Sequence, residues 1–107
     1  MEHLQFEFAA GEPAGSRALA GVVSSGDLEV LLAPAPVGRT RVEVHTAVNG
    51  FGGRWQTVLK RLFTASLLPA AQIAIHDNGA TPGVVRMRLE QAYEQANAQV
   101  ATPGGQP

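Results

Sequence analysis

Cysteine is absent from this sequence, and charged residues are scarce. Without cysteine there can be no disulfide, no thiolate metal site and no cysteine nucleophile. Charged residues make up only 16% of the 107 residues, and the net charge is −1. Because the Lys and Arg residues form no basic stripe, the electrostatic attraction that supplies most nucleic-acid affinity is missing.

Long apolar runs are absent as well. No stretch approaches the roughly 18 apolar residues that a membrane helix needs, and the first residues, MEHLQFEF, are too polar for a signal peptide. We therefore expect a cytoplasmic protein with neither nucleic acid nor a membrane among its partners. What is present, 45% apolar residues in 107, is typical of one ordinary globular domain.

The first half of the chain has the pattern of β-strands. Apolar residues alternate with polar ones, or form short runs between turn residues, over residues 4–8, 18–23, 28–32 and 41–45. The second and third of these segments are separated by four small turn-forming residues, Ser24-Ser25-Gly26-Asp27. Two strands with such a connection predict a β-hairpin.

The second half changes to helical spacing. Apolar residues at i, i+3, i+4, i+7 and i+8 from Trp55 to Phe63 predict one helix. Thr81 followed by Pro82 is a strong start signal for a second helix, although the alternation over residues 85–89 also fits a strand. One more strand is predicted around residues 73–75. The order β-β-β-β-α-β-α predicts a two-layer α+β domain, with a mostly antiparallel four- to five-stranded sheet and two helices on one face.

The hairpin turn is the first candidate site. Ser25 at the tip has no packing role, so its hydroxyl is accessible to another enzyme. Gly26 lets the backbone be approached closely, and Asp27 places a carboxylate near the hydroxyl. These residue types are also common in ordinary turns, so the residues alone leave both interpretations open. Residues 79–83 lead into a helix N-terminus, where a plain capped helix and a docking point for cofactor phosphates are the two alternatives.

The three histidines, His3, His45 and His76, lie far apart in the sequence. They lack the regular spacing of zinc ligands, so no metal site is predicted. His76 and Asp77 could be a general base with its orienting carboxylate, but a strand end followed by a turn explains them better. A small hydrolase using Ser25 with His76 is a weaker alternative, because no nucleophile-elbow pattern is present. No catalytic residue is therefore predicted.

Two segments resemble one known family. Residues 17–31, RALAGVVSSGDLEVL, closely resemble the modification segment of the acyl carrier (delta) subunits of malonate decarboxylase. Residues 75–92, IHDNGATPGVVRMRLEQA, are similar to the C-terminal signature of the same family, and Arg54-Trp55 also fits. The family pattern often has glycine where this chain has Ser24. A more distant similarity is to the acyl carrier of citrate lyase, but residues 79–85 favour the malonate family.

The resemblance implies a specific function. It implies a 2'-(5''-phosphoribosyl)-3'-dephospho-CoA group joined through a phosphodiester to Ser25, with Gly26 and Asp27 as the supporting turn. The thiol of this group would carry acetyl and malonyl thioesters within a biotin-independent malonate decarboxylase, and the carrier itself would do no chemistry. The implied partners are the transferase (alpha) subunit, the decarboxylase (beta and gamma) subunits, and the enzymes that attach and acylate the group.

The composition of the C-terminus, rich in Pro and Gly, sets the expected boundaries. Residues 1–98 would form the acyl carrier domain, and residues 99–107 a disordered C-terminal tail. Two alternatives stay open besides the malonate carrier: a citrate-lyase-type carrier, and an unmodified assembly or binding domain in which Ser25 is a plain turn residue.

Overall fold

The computed structural model describes the backbone of residues 1–101 and the side chains of residues 1–97. Its elements are, in chain order, β1 (Glu2–Ala9), β2 (Ala18–Gly21), β3 (Asp27–Pro34), β4 (Arg39–Thr46), α1 (Gly52–Ala65), β5 (Ala71–Asn78) and α2 (Pro82–Ala101). The predicted order of strands and helices is confirmed. Helix α2 continues past the domain boundary predicted at residue 98, and residues 102–107 of the predicted tail lie outside the described residues.

The described strands form one five-stranded sheet with the order β1-β4-β5-β3-β2. Neighbouring strands run antiparallel except for β4 and β5, which are parallel and joined through α1. A parallel pair needs a crossover of a dozen or more residues, and α1 with its flanking loops supplies one. The predicted α+β fold is therefore confirmed, with a mixed sheet that is mostly antiparallel.

Both helices cover the same face of the sheet, and one apolar core lies between the two layers. The alternation predicted for the strands places Val30, Val44 and Ile75 in this core with no exposed surface. On α2, Leu89 is likewise fully buried; burial of a leucine side chain is worth about 1.5–3 kcal/mol. The opposite face of the sheet has no helix over it in the described part of the chain.

Each helix confirms a pattern seen in the sequence. On α1, Trp55, Leu59 and Phe63 are buried at the predicted spacing. Helix α2 begins at Pro82, and the backbone N–H of Val84 donates to the Thr81 hydroxyl oxygen at 3.3 Å, so Thr81 is the predicted N-cap. The strand-like alternation over residues 85–89 does not form a strand, because the larger apolar set at helical spacing packs on the sheet.

Candidate functional site

Ser25 lies at the corner of the hairpin turn between β2 and β3. The backbone N–H of Asp27 donates to the carbonyl of Ser24 at 2.9 Å, and Gly26 has a φ of +75°. A positive φ at the third residue of a four-residue turn is the mark of a type II turn, which explains the glycine. Ser25 is exposed, and its hydroxyl makes no hydrogen bond to the side chains of residues 1–97 or to the described backbone. The turn thus presents the hydroxyl to solvent.

The turn is tied to the end of the neighbouring strand β5. The backbone N–H of Gly26 donates to the carbonyl of Asn78 at 2.8 Å. The ladder between β3 and β5 begins with the pair Asp27 and Asn78, so this bond extends the pairing by one step into the turn. The position of the Ser25 backbone is therefore fixed relative to the loop that starts α2.

Strand β2 is shorter than the sequence predicted. The expected strand continued to Val23, but β2 ends at Gly21, and Val22 and Val23 are 57% and 55% exposed. Gly21 has a φ of +82°, which turns the chain out of the strand. The N–H of Ser24 donates to the carbonyl of Val22 at 3.0 Å, so a tight turn comes before the Ser25 turn. Two exposed valines consequently lie beside the serine.

Asp27 is bound by an arginine from α2. Its carboxylate accepts from Arg88 Nη2 at 2.7 Å and from Arg88 Nε at 3.1 Å, and it also accepts the N–H of Leu28 at 2.7 Å. The hydrogen bonds from Arg88 are the main reason why the pKa of Asp27 lies below its ordinary value, and the Leu28 N–H adds to the effect. The two-pronged geometry is the strong form of an arginine–carboxylate pair.

This pair was not predicted from the sequence. The sequence placed the Asp27 carboxylate near the Ser25 hydroxyl, whereas its contacts are with Arg88 and the backbone of Leu28. Asp27 and Arg88 are separated by 61 residues, and the alternation of Arg86 and Arg88 looked like one side of a strand. Asp27 therefore fastens the base of the hairpin to α2.

A cavity of about 180 Å³ lies between the start of α1 and the loop that begins α2. Its wall is mostly apolar, and the Arg54 guanidinium lies over the Phe51 ring at 4.4 Å from the ring centre. The lining residues are Val48, Phe51, Arg54, Trp55, Val58, Asp77, Gly79, Ala80, Pro82 and Val85. Because Gly79 follows Asn78, the cavity begins one residue from the strand end that holds the Ser25 turn.

His76 and Asp77 do not form a catalytic pair. The Asp77 side chain is buried and accepts from the Thr46 hydroxyl at 2.8 Å and from the N–H groups of Gly79 and Ala80 at 3.1 and 2.9 Å. His76 lies on the other face of the sheet, because successive residues of a strand point to opposite faces. Asp77 thus lies within β5, which ends two residues later than the strand end predicted at His76, and its carboxylate holds the turn that follows the strand.

The three histidines, in contrast, are brought together. His3 stacks on His45 with 4.2 Å between ring centres, and His45 stacks on His76 at 5.1 Å. Residues that are distant in the chain become neighbours here because β1, β4 and β5 are adjacent and pair in register. The sequence positions of the three histidines do not predict that they lie side by side.

Comparison with known proteins decides the family. The family model of the malonate decarboxylase delta subunit (MdcD), an acyl carrier protein, matches residues 15–96. The malonate decarboxylase acyl carrier protein of Pseudomonas aeruginosa strain UCBPP-PA14 is 65% identical over 96 residues, which cover 90% of this chain and 97% of the relative. The chain belongs to the malonate decarboxylase delta-subunit family. It is a carrier subunit rather than a catalytic one.

Other members agree with this assignment. The acyl carrier protein of malonate decarboxylase from Azotobacter vinelandii is 56% identical and covers 91% of this chain and 98% of its own length. A chain from the crystal structure of a Pseudomonas malonate decarboxylase hetero-tetramer in complex with malonate has a TM-score of 0.87. It is 56% identical and covers 90% of this chain and 99% of its own length.

These matches favour the malonate family over the citrate-lyase-type alternative. The solved relative is part of a hetero-tetramer. Among the residues that the structure describes, no helix is both long and apolar enough to cross a membrane.

Proposed function

We propose that this delta-family chain carries acyl groups on a 2'-(5''-phosphoribosyl)-3'-dephospho-CoA group joined to Ser25 by a phosphodiester. The observation that carries the proposal is the exposed Ser25 hydroxyl at the corner of a turn that is fixed on both sides. The Gly26 N–H binds the end of β5, and the Asp27 carboxylate binds α2. An anchor for a mobile arm needs this combination of an accessible atom and a firm base.

The space beside Ser25 is open. A Cβ atom added at Gly26 would meet no atom within 4 Å, so the space over the turn is open to a modifying enzyme. The chain has no cysteine, so a thiol must come from an attached group. When bound, this group would supply the thiol that holds acetyl and malonyl as thioesters. The protein contributes the hydroxyl oxygen, the turn and the base of the hairpin.

The proposed partners follow from this anchor. The transferase (alpha) subunit and the decarboxylase (beta and gamma) subunits must each receive the arm, and separate enzymes must attach and acylate it. We place the Ser25 turn and the exposed Val22 and Val23 at these contacts, because two exposed valines beside the anchor supply apolar surface for docking. All of these proteins would act in the cytoplasm.

The test is replacement of Ser25 by alanine in the complete complex, expressed with its modifying enzymes. The hydroxyl oxygen is the bridging atom of the phosphodiester, so Ser25→Ala should lose the adduct mass and all malonate decarboxylation. The fold should be affected little, because exposed loop substitutions usually change stability by less than about 0.5 kcal/mol. Intact mass and activity are measured on the same preparations.

Ser24→Ala is the matched control. It changes the adjacent hydroxyl of the same turn and should keep both the adduct and the activity. An adduct that survives Ser25→Ala but not Ser24→Ala would move the anchor by one residue. An adduct that survives both substitutions would overturn the assignment of the anchor to this turn. If the unsubstituted chain made by its host carries no adduct, the unmodified assembly domain becomes the better explanation.

A further inference from the structure

A row of histidines crosses the sheet face that no described helix covers. His3, His45 and His76 occupy paired positions on β1, β4 and β5, and their rings are nearly parallel, with interplanar angles of 21° and 16°. Glu43 lies two residues before His45 on β4 and so shares this face. The carrier function proposed above uses none of these side chains.

Three of these residues place ligand atoms close together. His3, Glu43 and His45 each offer one ligand atom, and the three atoms lie within 4.8 Å of one another. Oε1 of Glu43 is 3.9 Å from Nε2 of His45, while its other oxygen accepts from the Gln5 amide at 3.4 Å. A hydrogen bond to the second oxygen orients a carboxylate ligand, as outer partners commonly do in metal sites.

We propose that His3, His45 and Glu43 bind a divalent transition-metal ion, and that Zn²⁺ fits them best. Two imidazoles and a carboxylate are a known zinc ligand set that leaves one position open. Imidazole nitrogens favour Zn²⁺, Ni²⁺ and Cu²⁺, whereas Mg²⁺ and Ca²⁺ prefer oxygen ligands. Metal bonds of about 2.0–2.2 Å require the ligand atoms to move closer together. Side chains on an uncovered face can do so by small rotations.

The fourth position of this site would face solvent. His3 is exposed, and the side chains of His45 and Glu43 are 33% and 42% exposed, so water or a donor from another molecule can reach the ion. His76 lies on the far side of His45 from His3 and is outside the proposed ligand set. Its nearest charged neighbour is Glu29, whose Oε1 is 3.4 Å from His76 Nδ1.

The test is titration calorimetry with Zn²⁺ on the full chain, without a histidine tag and after treatment with a chelator. We expect one ion per chain, with binding at least about tenfold weaker in His45→Ala and in Glu43→Gln. Glu43→Gln keeps the shape of an exposed side chain, so it reports on binding even if His45→Ala disturbs the sheet. Mg²⁺ should give no heat of binding.

His76→Ala is the control for the ligand set, because it removes a stacked histidine without removing a proposed ligand. The Zn²⁺ affinity of this variant should stay within about threefold of the affinity of the chain without substitutions. The proposal would be overturned if the chain without substitutions did not bind Zn²⁺. Equal affinity in Glu43→Gln would have the same consequence, as would a loss in His76→Ala as large as that in His45→Ala. Loss in His3→Ala with full retention in His45→Ala would also overturn it, since His45 would then not be a ligand.

Discussion

Ser25 and Asp27 lie two residues apart and have opposite surroundings. Ser25 is exposed and its hydroxyl is without a partner in the described residues, whereas the Asp27 side chain is only 18% exposed and bound by Arg88. The difference follows from the turn, because the strand begins at Asp27 and directs its side chain toward α2. At the residue scale, the first position is suited to modification and the second to holding the turn.

Removal of Arg88 should show what holds Asp27. In Arg88→Met the carboxylate loses both guanidinium hydrogen bonds, so the pKa of Asp27 should rise toward or above its ordinary value of 3.8. A group with a lowered folded-state pKa stabilises the fold above its unfolded pKa, and that contribution disappears as pH falls through the folded value. The stability difference between the unmodified chain and Arg88→Met should therefore shrink below about pH 4.

Side-chain carboxyl NMR and urea unfolding at several pH values measure these two quantities. Arg86→Met is the matched control, because Arg86 is an exposed neighbour that pairs with Glu90 instead. It should leave the titration of Asp27 unchanged. An unshifted Asp27 in Arg88→Met would show that the backbone N–H of Leu28, and not the arginine, governs this carboxylate.

Tyr93 offers a second test at the residue scale, since it is the single tyrosine of the chain. Burial raises its pKa to about 12, and its hydroxyl donates to the carbonyl of Pro69 at 3.2 Å. The neutral phenol is thus favoured in the fold. The stabilisation of the fold by this phenol is fully present below the unfolded pKa of about 10. As pH rises from there to about 12, the free energy of unfolding should fall by about 2–3 kcal/mol.

Phenolate absorbance of the native chain follows this titration directly. Tyr93→Phe should unfold with less dependence on pH in the same alkaline range, because it has no phenol to ionise. A native titration midpoint near the ordinary value for tyrosine would contradict the burial of this side chain.

At the scale of the elements, β2 ends at a glycine that lies close to both β3 and α2. Gly21 turns the chain out of the strand, and the Arg88 side chain passes close to its Cα. A Cβ atom at this position would clash with the backbone carbonyl of Leu28 and lie 3.0 Å from Arg88 Nε. The absence of a side chain at residue 21 therefore lets the Leu28 carbonyl and the Arg88 side chain come this close.

Gly21→Ala should therefore destabilise the domain by more than the backbone strain alone. Strain at a positive φ costs about 1–2 kcal/mol, and the clash should raise the total above about 3 kcal/mol. Gly50→Ala is the matched control, because Gly50 has a φ of +87° and open space around it. Urea unfolding of both variants checks the difference. Equal losses would show that the hairpin can shift away from Arg88 at no cost.

At the scale of the whole molecule, one face of the sheet is covered by helices and the Ser25 turn lies at one end of the sheet. Strands β3 and β5 meet at that end, at the pair Asp27 and Asn78, and α2 begins four residues later with Pro82. The Ser25 turn, the cavity beside it and the start of α2 therefore share one side of the molecule. A partner that receives the proposed arm could contact all three without touching the uncovered face.

We expect the transferase subunit to protect the Ser25 turn when it binds. Carrier contacts are made and broken repeatedly, so the buried area should be about 1,200 Å² or less. Hydrogen exchange or footprinting should show reduced exposure over residues 22–28. The uncovered strand face around Leu31 serves as the internal control and should change little. Protection confined to that face would contradict docking at the turn.

The sequence alone determined the elements, their order and the Ser25 turn. Alternation in the strands, the helical spacing from Trp55 to Phe63 and the start of α2 at Thr81-Pro82 are all local signals. The fold follows them because each apolar set has one face to bury. The family blocks at residues 17–31 and 75–92 are continuous stretches of sequence as well, so they could be recognised without coordinates.

Only the tertiary structure decided which distant residues meet. The partner of Asp27 is Arg88 rather than Ser25, and the three histidines form one row, because β4 and β5 pair in parallel and α2 packs over the hairpin. Strand order and helix placement are set by burial of the whole core, which no local pattern records. A period of two or 3.6 residues tells which face a side chain takes, but not which residue of another element lies opposite it.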